Sequence, residues 1–281
     1  MENLLFQLNL CEGVVIKRPS QYCKTPYVAD VMITDNQQIL GHSPALGCCG
    51  LSDKNMTVLL SELEKKKNQT CSHRIELAKY IELDTPIYIG INPKLGEKIA
   101  EECLSKGFIK NLDNVKKYAR EVKILNSRFD FAGIDKNDKP FILEIKNVPL
   151  ADYVDVCKKD RENYNSEISN KKWNEKISYF PDGYRKKSTD VVSPRALKHI
   201  QELEYISKSS NIRTILCFII QRNDVSHFQT SNIDLTYKDT VYQAWKNGVE
   251  INTLQVEWNE NGQCKFVRND LPISLKNGEY I

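Results

Sequence analysis

The chain has 281 residues, of which 41% are hydrophobic and 27% are charged, and its formal net charge is +3. These values are typical of an ordinary soluble globular protein, and the length allows two small domains. The balance of 40 basic and 37 acidic residues excludes a polybasic tail, so any contact with nucleic acid has to come from local basic patches.

Cysteines, the chain start and the apolar runs predict the compartment. The nine cysteines form no C-x-x-C pair and do not cluster with histidines at zinc-ligand spacing, which predicts free thiols in a reducing compartment. No apolar run reaches the length of about 18 residues that a membrane span needs. The start, MENLLFQLNLCEG, lacks the basic region of a signal peptide. We therefore expect a cytoplasmic protein, or a nuclear one in a eukaryote, that is not secreted and has no membrane partner.

Residues 1–91 have the pattern of β structure, because short apolar runs alternate with turn signals such as Arg18-Pro19-Ser20. The predicted strands are Leu4–Leu10, Gly13–Lys17, Tyr27–Thr34, Gln38–Gly41, Thr57–Glu62, Arg74–Leu83 and Ile87–Ile91. Several short strands without a long helix predict a small barrel or sandwich. The charged segment Glu64–Asn68 is interpreted as a solvated tip rather than a binding patch.

The periodicity changes after residue 91. Leu95, Ile99 and Cys103 recur every four residues and predict the first helix, so we place a domain boundary between residues 91 and 92. A weaker segment, Val115–Arg120, leads into a central hairpin. Residues 151–178 are polar with little periodicity, and we interpret them as a long loop or insertion, partly helical around Tyr153–Asp160.

The end of the chain alternates between helices and strands. A turn is predicted at Tyr179–Gly183, a helix at Ser193–Ile206, a buried strand at Arg213–Ile220, a helix at Tyr237–Asn247 and a strand at Val249–Trp258. Ser193 is a good N-cap and Pro194 suits the first helical position. This order predicts an α/β domain with a mixed sheet over residues 92–281.

The central hairpin, Ser127–Val148, carries the strongest chemical signal. Alternation is expected to place Phe129 and Phe131 on one face of the first strand and Asp130 on the other. On the second strand, Glu144 and Lys146 share a face, and the hairpin brings Asp130 beside them. Two carboxylates suit Mg²⁺ or Mn²⁺, and the lysine can hold a water or a phosphate beside the metal. The sequence thus predicts Asp130 and Glu144 as metal ligands and Lys146 as the third catalytic residue, with a solvated strand face as the alternative.

Further polar residues are candidates for the same cleft. Asp182 is either a third acidic ligand or a turn residue. His199 either contacts phosphate and assists proton transfer or lies at the surface. Gln221 and Arg222 either face the cleft or are ordinary polar residues at a strand end. His42 is interpreted as structural.

Basic residues next to aromatic ones are the candidates for DNA binding, because they can track a phosphate backbone and stack on bases. They are Lys17, Arg18, Tyr22 and Lys24, followed by Arg185, Lys186 and Lys187. The small net charge predicts a modest affinity that falls strongly with salt.

Matches to a known family are dispersed over most of the chain. In the first part they are Gly13, Lys17-Arg18, Tyr27–Val31, His42-Ser43-Pro44 and Gly47; in the second they are Gly90–Asn92, Ser127–Phe131, Glu144–Val148, Phe180–Asp182, Lys198-His199, Glu202-Leu203 and Gln221-Arg222. The hairpin resembles the active-site core of the PD-(D/E)xK nuclease superfamily, and the whole chain resembles the SfsA (sugar fermentation stimulation protein A) family. The resemblance implies an OB-fold-like small β-barrel followed by a restriction-endonuclease-like, mixed-sheet α/β domain. It also implies DNA binding and, by inference from the motif, nuclease activity.

The chain departs from the family pattern at a few positions. Ala45-Leu46 stands where the family usually has Asn-Thr, Pro149 where Thr is usual and Gly183 where Ala is usual. The segments 151–178 and 184–192 are longer than usual. The residues of the expected metal site are intact.

We therefore expect a DNA-binding protein with a Mg²⁺- or Mn²⁺-dependent nuclease site. The first alternative is a non-catalytic DNA-binding or transcription-regulatory protein on a nuclease scaffold. The second is a hydrolase that processes RNA or a small molecule. The oligomeric state stays open, with a homodimer among the options.

Overall fold

The computed structural model describes residues 3–45, 50–181, 190–276 and 278–281, and these form seventeen strands and four α-helices. The strands are β1 (Leu4–Gln7), β2 (Cys11–Lys17), β3 (Val28–Ile33), β4 (Gln38–His42), β5 (Thr57–Glu62), β6 (His73–Glu82), β7 (Thr85–Gly90), β8 (Lys117–Ile124), β9 (Ser127–Ile134), β10 (Pro140–Val148), β11 (Ala151–Asp152), β12 (Lys176–Phe180), β13 (Arg213–Ile220), β14 (Val225–Thr230), β15 (Glu250–Trp258), β16 (Gln263–Arg268) and β17 (Ile273–Ser274). The helices are α1 (Pro93–Ser105), α2 (Asn165–Ile168), α3 (Pro194–Ser209) and α4 (Leu235–Lys246). None of the helices in the described ranges is both long and apolar enough to cross a membrane.

Five of the described strands near the start of the chain close into a small barrel. They pair in the order β4-β3-β2-β5-β6, and β4 pairs in parallel with β6 to complete the circle. The inward-facing side chains of these strands form a core of their own, which includes Val31, Leu60 and Ile75. Gly13 lies where a Cβ would meet the Val31 side chain at 2.7 Å. The predicted OB-fold-like barrel is confirmed, since this fold is a five-stranded Greek-key barrel.

The same sheet continues beyond the barrel in the order β7-β15-β13-β10-β9-β8. Strands β10, β13 and β15 run parallel, while β8, β9 and β10 form an antiparallel meander. The apolar run Arg213–Ile220 is buried on both faces, because α1 covers one face and α3 and α4 cover the other. The predicted mixed-sheet α/β architecture is confirmed.

The helix α3 begins at the residue that the sequence predicted, and both helices that border the site have a capped first turn. The Asn92 side chain accepts the Lys94 N–H at 3.1 Å, with Pro93 at the first helical position of α1. Ser193 Oγ accepts the Ala196 N–H at 3.3 Å at the start of α3. These caps satisfy backbone donors that the first turn of a helix leaves unpaired.

The first strand, β1, is not part of the barrel. β1 pairs with β16, some 260 residues later in the chain, rather than with a barrel strand, and Leu5 joins the core that packs against α1. The division of the chain between residues 91 and 92 stays a prediction.

Several elements differ from the sequence-based expectation. Val115–Arg120 was expected to be only a weak segment before the hairpin, but strand β8 occupies Lys117–Ile124. Residues 151–178 are not simply a loop, because β11 and the start of β12 lie there and join β14 and β17 in a second sheet of order β11-β12-β14-β17. The expected turn at Tyr179–Gly183 is wrong for Tyr179 and Phe180, which end β12.

Candidate functional site

A cavity of about 210 Å³ lies where the central hairpin meets the first turns of α1 and α3. Its polar lining comes from Asp130 on β9, Glu144, Lys146 and Asn147 on β10, Glu97 on α1, and Ser193 and Arg195 at the start of α3. The three residues that the sequence predicted to be catalytic therefore line one cavity.

Glu144 is the most enclosed charge of the cavity, with 2% of its surface exposed. Its Oε1 accepts hydrogen bonds from Lys146 Nζ and from His199 Nδ1 on α3. Since an ionised carboxylate can only accept, this contact requires the proton on Nδ1 of the imidazole. Burial alone would raise the pKa of Glu144, but Lys146 and His199 outweigh burial and lower it. Glu144 is thus held as a carboxylate.

The carboxylate of Asp130 replaces one backbone hydrogen bond between the two hairpin strands. The regular pairing of β9 with β10 ends at Phe131 opposite Leu143, and Asp130 Oδ2 accepts the Ile145 N–H at 2.6 Å. Burial, and then the negative charge of Glu144, raise the pKa of Asp130 from 3.8 to about 7. The two carboxylates are therefore close enough to repel each other.

This donor set fits a hard divalent cation. Glu144 Oε2 is buried and has no hydrogen-bond partner among the described residues, which leaves one carboxylate oxygen for a ligand that the protein does not supply. In the described ranges, no group of three or more His, Cys, Asp or Glu side chains is placed to hold a metal. Two carboxylates, completed by waters and substrate oxygens, are a common arrangement for Mg²⁺.

One expectation about the hairpin is wrong. Phe131 packs on the α1 face of the sheet with Leu143, whereas Phe129 packs on the α3 face with Ile142. Strict alternation puts both rings on one face, but the pairing of β9 with β10 stops between them, where the Asp130 carboxylate bonds to β10.

The four further candidates have different positions. His199 is buried and contacts Glu144, so it is neither a surface residue nor part of the cavity lining. Gln221 reaches the cavity only through Asn147, to whose Oδ1 its Nε2 donates. Arg222 binds Asp224 and the Pro149 carbonyl instead, and it does not line the cavity. Asp182 lies outside the described residues.

Arg195, Glu97 and Asn147 line the cavity but were missed as site residues. The exposed Arg195 side chain has no hydrogen bond or ion pair within the described part of the chain. Its only sequence signal is its position two residues after the N-cap Ser193, in the first turn of a helix.

The DNA-binding candidates on the barrel are divided by the structure. Lys17, Tyr22 and Lys24 are exposed, and Tyr22 keeps 69% of its surface. Arg18 is instead used internally, because its guanidinium donates to the carbonyls of Pro26 and Ala45 and to Ser52 Oγ. Arg185, Lys186 and Lys187 lie outside the described residues.

A family comparison covers the region of the cavity. The family model described as "Sugar fermentation stimulation protein RE domain" matches residues 94–158 and 152–262, a span that includes Asp130, Glu144 and Lys146. The chain belongs to the SfsA family.

Other members of the SfsA family match over nearly their whole length. A sugar fermentation stimulation protein homolog of Shewanella frigidimarina is 27% identical over 252 residues, which are 88% of this chain and 90% of that protein. A homolog of Clostridium tetani is 27% identical over 261 residues, 92% of this chain and 95% of its own. The structure of Pyrococcus furiosus SfsA in complex with Ca²⁺ covers 96% of this chain and 99% of that one, with a TM-score of 0.73 and 16% identity. The SfsA fold therefore extends over both the barrel and the mixed sheet.

Proposed function

We propose that this chain is a divalent-metal-dependent nuclease that hydrolyses phosphodiester bonds in DNA. The observation that carries the proposal is a buried carboxylate, Glu144, beside the half-buried Asp130 and a lysine, with Glu144 Oε2 unpartnered among the described residues. Burying like charges is costly unless something compensates them, and such arrangements concentrate at functional sites.

Asp130 and Glu144 would hold Mg²⁺ or Mn²⁺. Both are hard cations that prefer oxygen ligands, and a divalent charge between the two carboxylates removes their mutual repulsion. The Pyrococcus furiosus relative was solved with Ca²⁺, a cation with the same ligand preference. When bound, such a metal supplies Lewis-acid chemistry and lowers the pKa of a coordinated water.

Lys146 is the cation of the reaction centre. Its ammonium donates to Glu144 Oε1, and only 11% of its side chain is exposed. At this position it can hold the nucleophilic water or stabilise the negative charge that develops on the scissile phosphate. His199 donates to the same oxygen and keeps the carboxylate in one orientation.

The walls of the cavity suit a phosphate group. The first turns of α1 and α3 both border it, through Pro93 and Ser193, and the N-terminus of a helix carries a partial positive charge. Arg195 adds a full positive charge on the same side. These features favour a phosphodiester over an uncharged substrate.

The barrel would provide much of the grip on DNA. The exposed residues Lys17, Tyr22 and Lys24 lie on one stretch of the barrel, and basic and aromatic side chains together suit contacts to phosphates and bases. With a net charge of only +3, affinity should fall steeply as salt rises.

The test is a cleavage assay on duplex, single-stranded and branched DNA in Mg²⁺ or Mn²⁺. We expect the wild-type protein to cleave at least one substrate and Asp130→Asn to lose at least about a hundredfold in rate, since it removes a metal ligand. The matched control is Asp138→Asn, on the exposed turn of the same hairpin, which should cleave as the wild type does. DNA binding without cleavage of any substrate would instead support the non-catalytic alternative, and cleavage that survives Asp130→Asn would contradict the assigned site.

A further inference from the structure

A second and larger cavity, of about 710 Å³, lies at one end of the barrel. It opens between the loop of residues 18–27, which joins β2 to β3, and the loop of residues 63–72, which joins β5 to β6. Its volume is within the range of pockets that hold small ligands, roughly 300–1,000 Å³. The side chains that matter for its chemistry are Tyr27, His42, Glu62, Glu64, Lys66 and Arg74.

Arg74 provides a positive charge to this cavity. It follows the first residue of β6 and is half-buried, yet its guanidinium makes no hydrogen bond or ion pair with any described residue. The carboxylates of Glu62 and Glu64 line the same cavity but are exposed and do not pair with it. A partly desolvated guanidinium with free donors is suited to bind a phosphate in a bidentate manner.

Aromatic side chains line the same cavity as Arg74. Tyr27 keeps 41% of its surface exposed at the edge of the cavity, and Tyr22 is on the same loop. His42 is next to Arg74 through the pairing of β4 with β6, and burial, followed by the charges of Arg74 and Lys94, lowers its pKa. An uncharged imidazole and an exposed phenol ring offer stacking surfaces for a base.

We infer that this barrel cavity binds an unpaired nucleotide of a DNA strand, with Arg74 and Lys66 on its phosphates and Tyr27 against its base. The two carboxylates can accept hydrogen bonds from the amino group of a cytosine. A concave pocket admits a single splayed base, whereas the bases of an intact duplex stay stacked and paired.

The inference rests on the proposed function, because the bound strand would continue toward the cavity lined by Asp130 and Glu144, the proposed metal cavity. Lys94 lies between the two cavities. Its charge lowers the pKa of His42 in the barrel cavity, and in the first turn of α1 it follows Pro93, which lines the metal cavity. The preferred substrate would therefore carry a single-stranded segment.

The test measures binding in EDTA, so its outcome does not depend on cleavage. A fluorescein-labelled oligo-dC strand of about 12 nucleotides, within the ~4–16-nucleotide site sizes of OB-folds, is titrated by fluorescence anisotropy. We expect Arg74→Gln and Tyr27→Ala each to weaken binding about tenfold, and Arg74→Lys to weaken it less. The matched controls, Arg268→Gln and Tyr205→Ala, change an exposed arginine and an exposed tyrosine outside the cavity and should bind as the wild type does.

Wild-type-like binding by both Arg74→Gln and Tyr27→Ala would overturn the inference. So would a blunt duplex that binds as tightly as the single strand, or an RNA strand of the same sequence that binds more tightly than the DNA. Tyr27→Ala alters an exposed ring, so it keeps the test valid if Arg74→Gln does not fold. A protein that binds the strand in this way but cleaves nothing would contradict the proposed function alone.

Discussion

The cavity at Asp130 and Glu144 and the cavity at the end of the barrel hold charged groups in opposite ways. In the cavity at Asp130 and Glu144, the buried Glu144 is bonded to the half-buried Lys146, and Glu144 Oε2 has no partner in the described part of the chain. In the barrel cavity, the Arg74 guanidinium has no hydrogen bond or ion pair with a described residue, and Tyr27 is exposed. The first arrangement holds its charged groups in place through hydrogen bonds, as a reaction centre requires. The second leaves its side chains open to solvent, which suits the binding of a flexible strand.

The two cavities also differ in how their charged groups affect the stability of the fold. A raised pKa for Asp130 means that its ionised form is disfavoured in the folded protein, so the metal cavity weakens the metal-free fold at neutral pH. The barrel cavity carries no such buried pair of like charges in the described residues, and its polar groups remain in contact with water. Variants in the two cavities should therefore have different effects on rate, stability and affinity.

The largest expected effect is on the rate of cleavage. Lys146→Met keeps the length of the side chain but removes the charge beside Glu144, and we expect the single-turnover rate at saturating Mg²⁺ to fall about 10²- to 10³-fold. Single-stranded DNA should bind in EDTA as before, because Lys146 is not part of the barrel. Lys136→Met, on the exposed turn of the same hairpin, serves as the control; a rate within threefold of wild type for Lys146→Met would remove this residue from the reaction centre.

The next effect concerns the contact between β7 and the site. A Cβ on Gly90, at the end of β7, would lie 1.8 Å from Gln221 Oε1, and Gln221 in turn bonds to Asn147. Gly90→Ala should lower the unfolding free energy by about 2–3 kcal/mol, the usual cost of overpacking. The double variant with Gln221→Ala makes room for the methyl group, so urea unfolding should show a smaller cost there. Equal costs in both backgrounds would mean that this contact does not couple β7 to the site.

A pH dependence of stability follows from Asp130. Because burial and Glu144 raise its pKa to about 7, the folded protein keeps this proton up to that pH, while the unfolded chain releases it at about pH 4. The unfolding free energy of the metal-free protein should fall as pH rises between these values, by up to about 1.4 kcal/mol per pH unit from this group. Urea unfolding of Asp130→Asn should lack this component and that of Asp138→Asn should retain it; parallel curves for all three proteins would contradict the assigned environment.

The smallest effect is expected from the positioning residue His199. Since its Nδ1 donates to Glu144, His199→Ala should weaken Mn²⁺ binding about tenfold, at the low end of the 10–100-fold effects of residues that orient ligands. His199→Asn retains a donor and should recover part of the affinity. Calorimetry without DNA measures both, and His73→Ala, on the barrel strand β6, is the control. Unchanged affinity in His199→Ala would assign His199 a packing role only.

The elements with strong local signals could be predicted from the sequence. The strand Arg213–Ile220 has the predicted bounds because a continuous apolar run needs cover on both faces, and α3 starts at its predicted cap because Ser193-Pro194 is a local signal. Asp130, Glu144 and Lys146 could be grouped because a hairpin is local. Their bonding to His199 could not, since it depends on how α3 packs on the sheet.

The features that the sequence did not reveal depend on distant partners. Strand β8 is mostly exposed and therefore has no apolar alternation, and β11 and β17 have two residues each. The pairing of β1 with β16 joins opposite ends of the chain. Arg18 has the sequence context of a DNA contact, but only the folded loops show that its donors are already used.

The most direct test of the central claim is a calorimetric titration of Mn²⁺ into the metal-free protein at pH 8. We expect the wild-type protein to bind Mn²⁺ at the cavity of Asp130 and Glu144, and the control Asp138→Asn to bind it equally well. Asp130→Asn and Glu144→Gln should each lose at least about a hundredfold in affinity, because each removes one of two carboxylate ligands. Mn²⁺ binding of wild-type strength in both of these variants would contradict the assignment of the metal site.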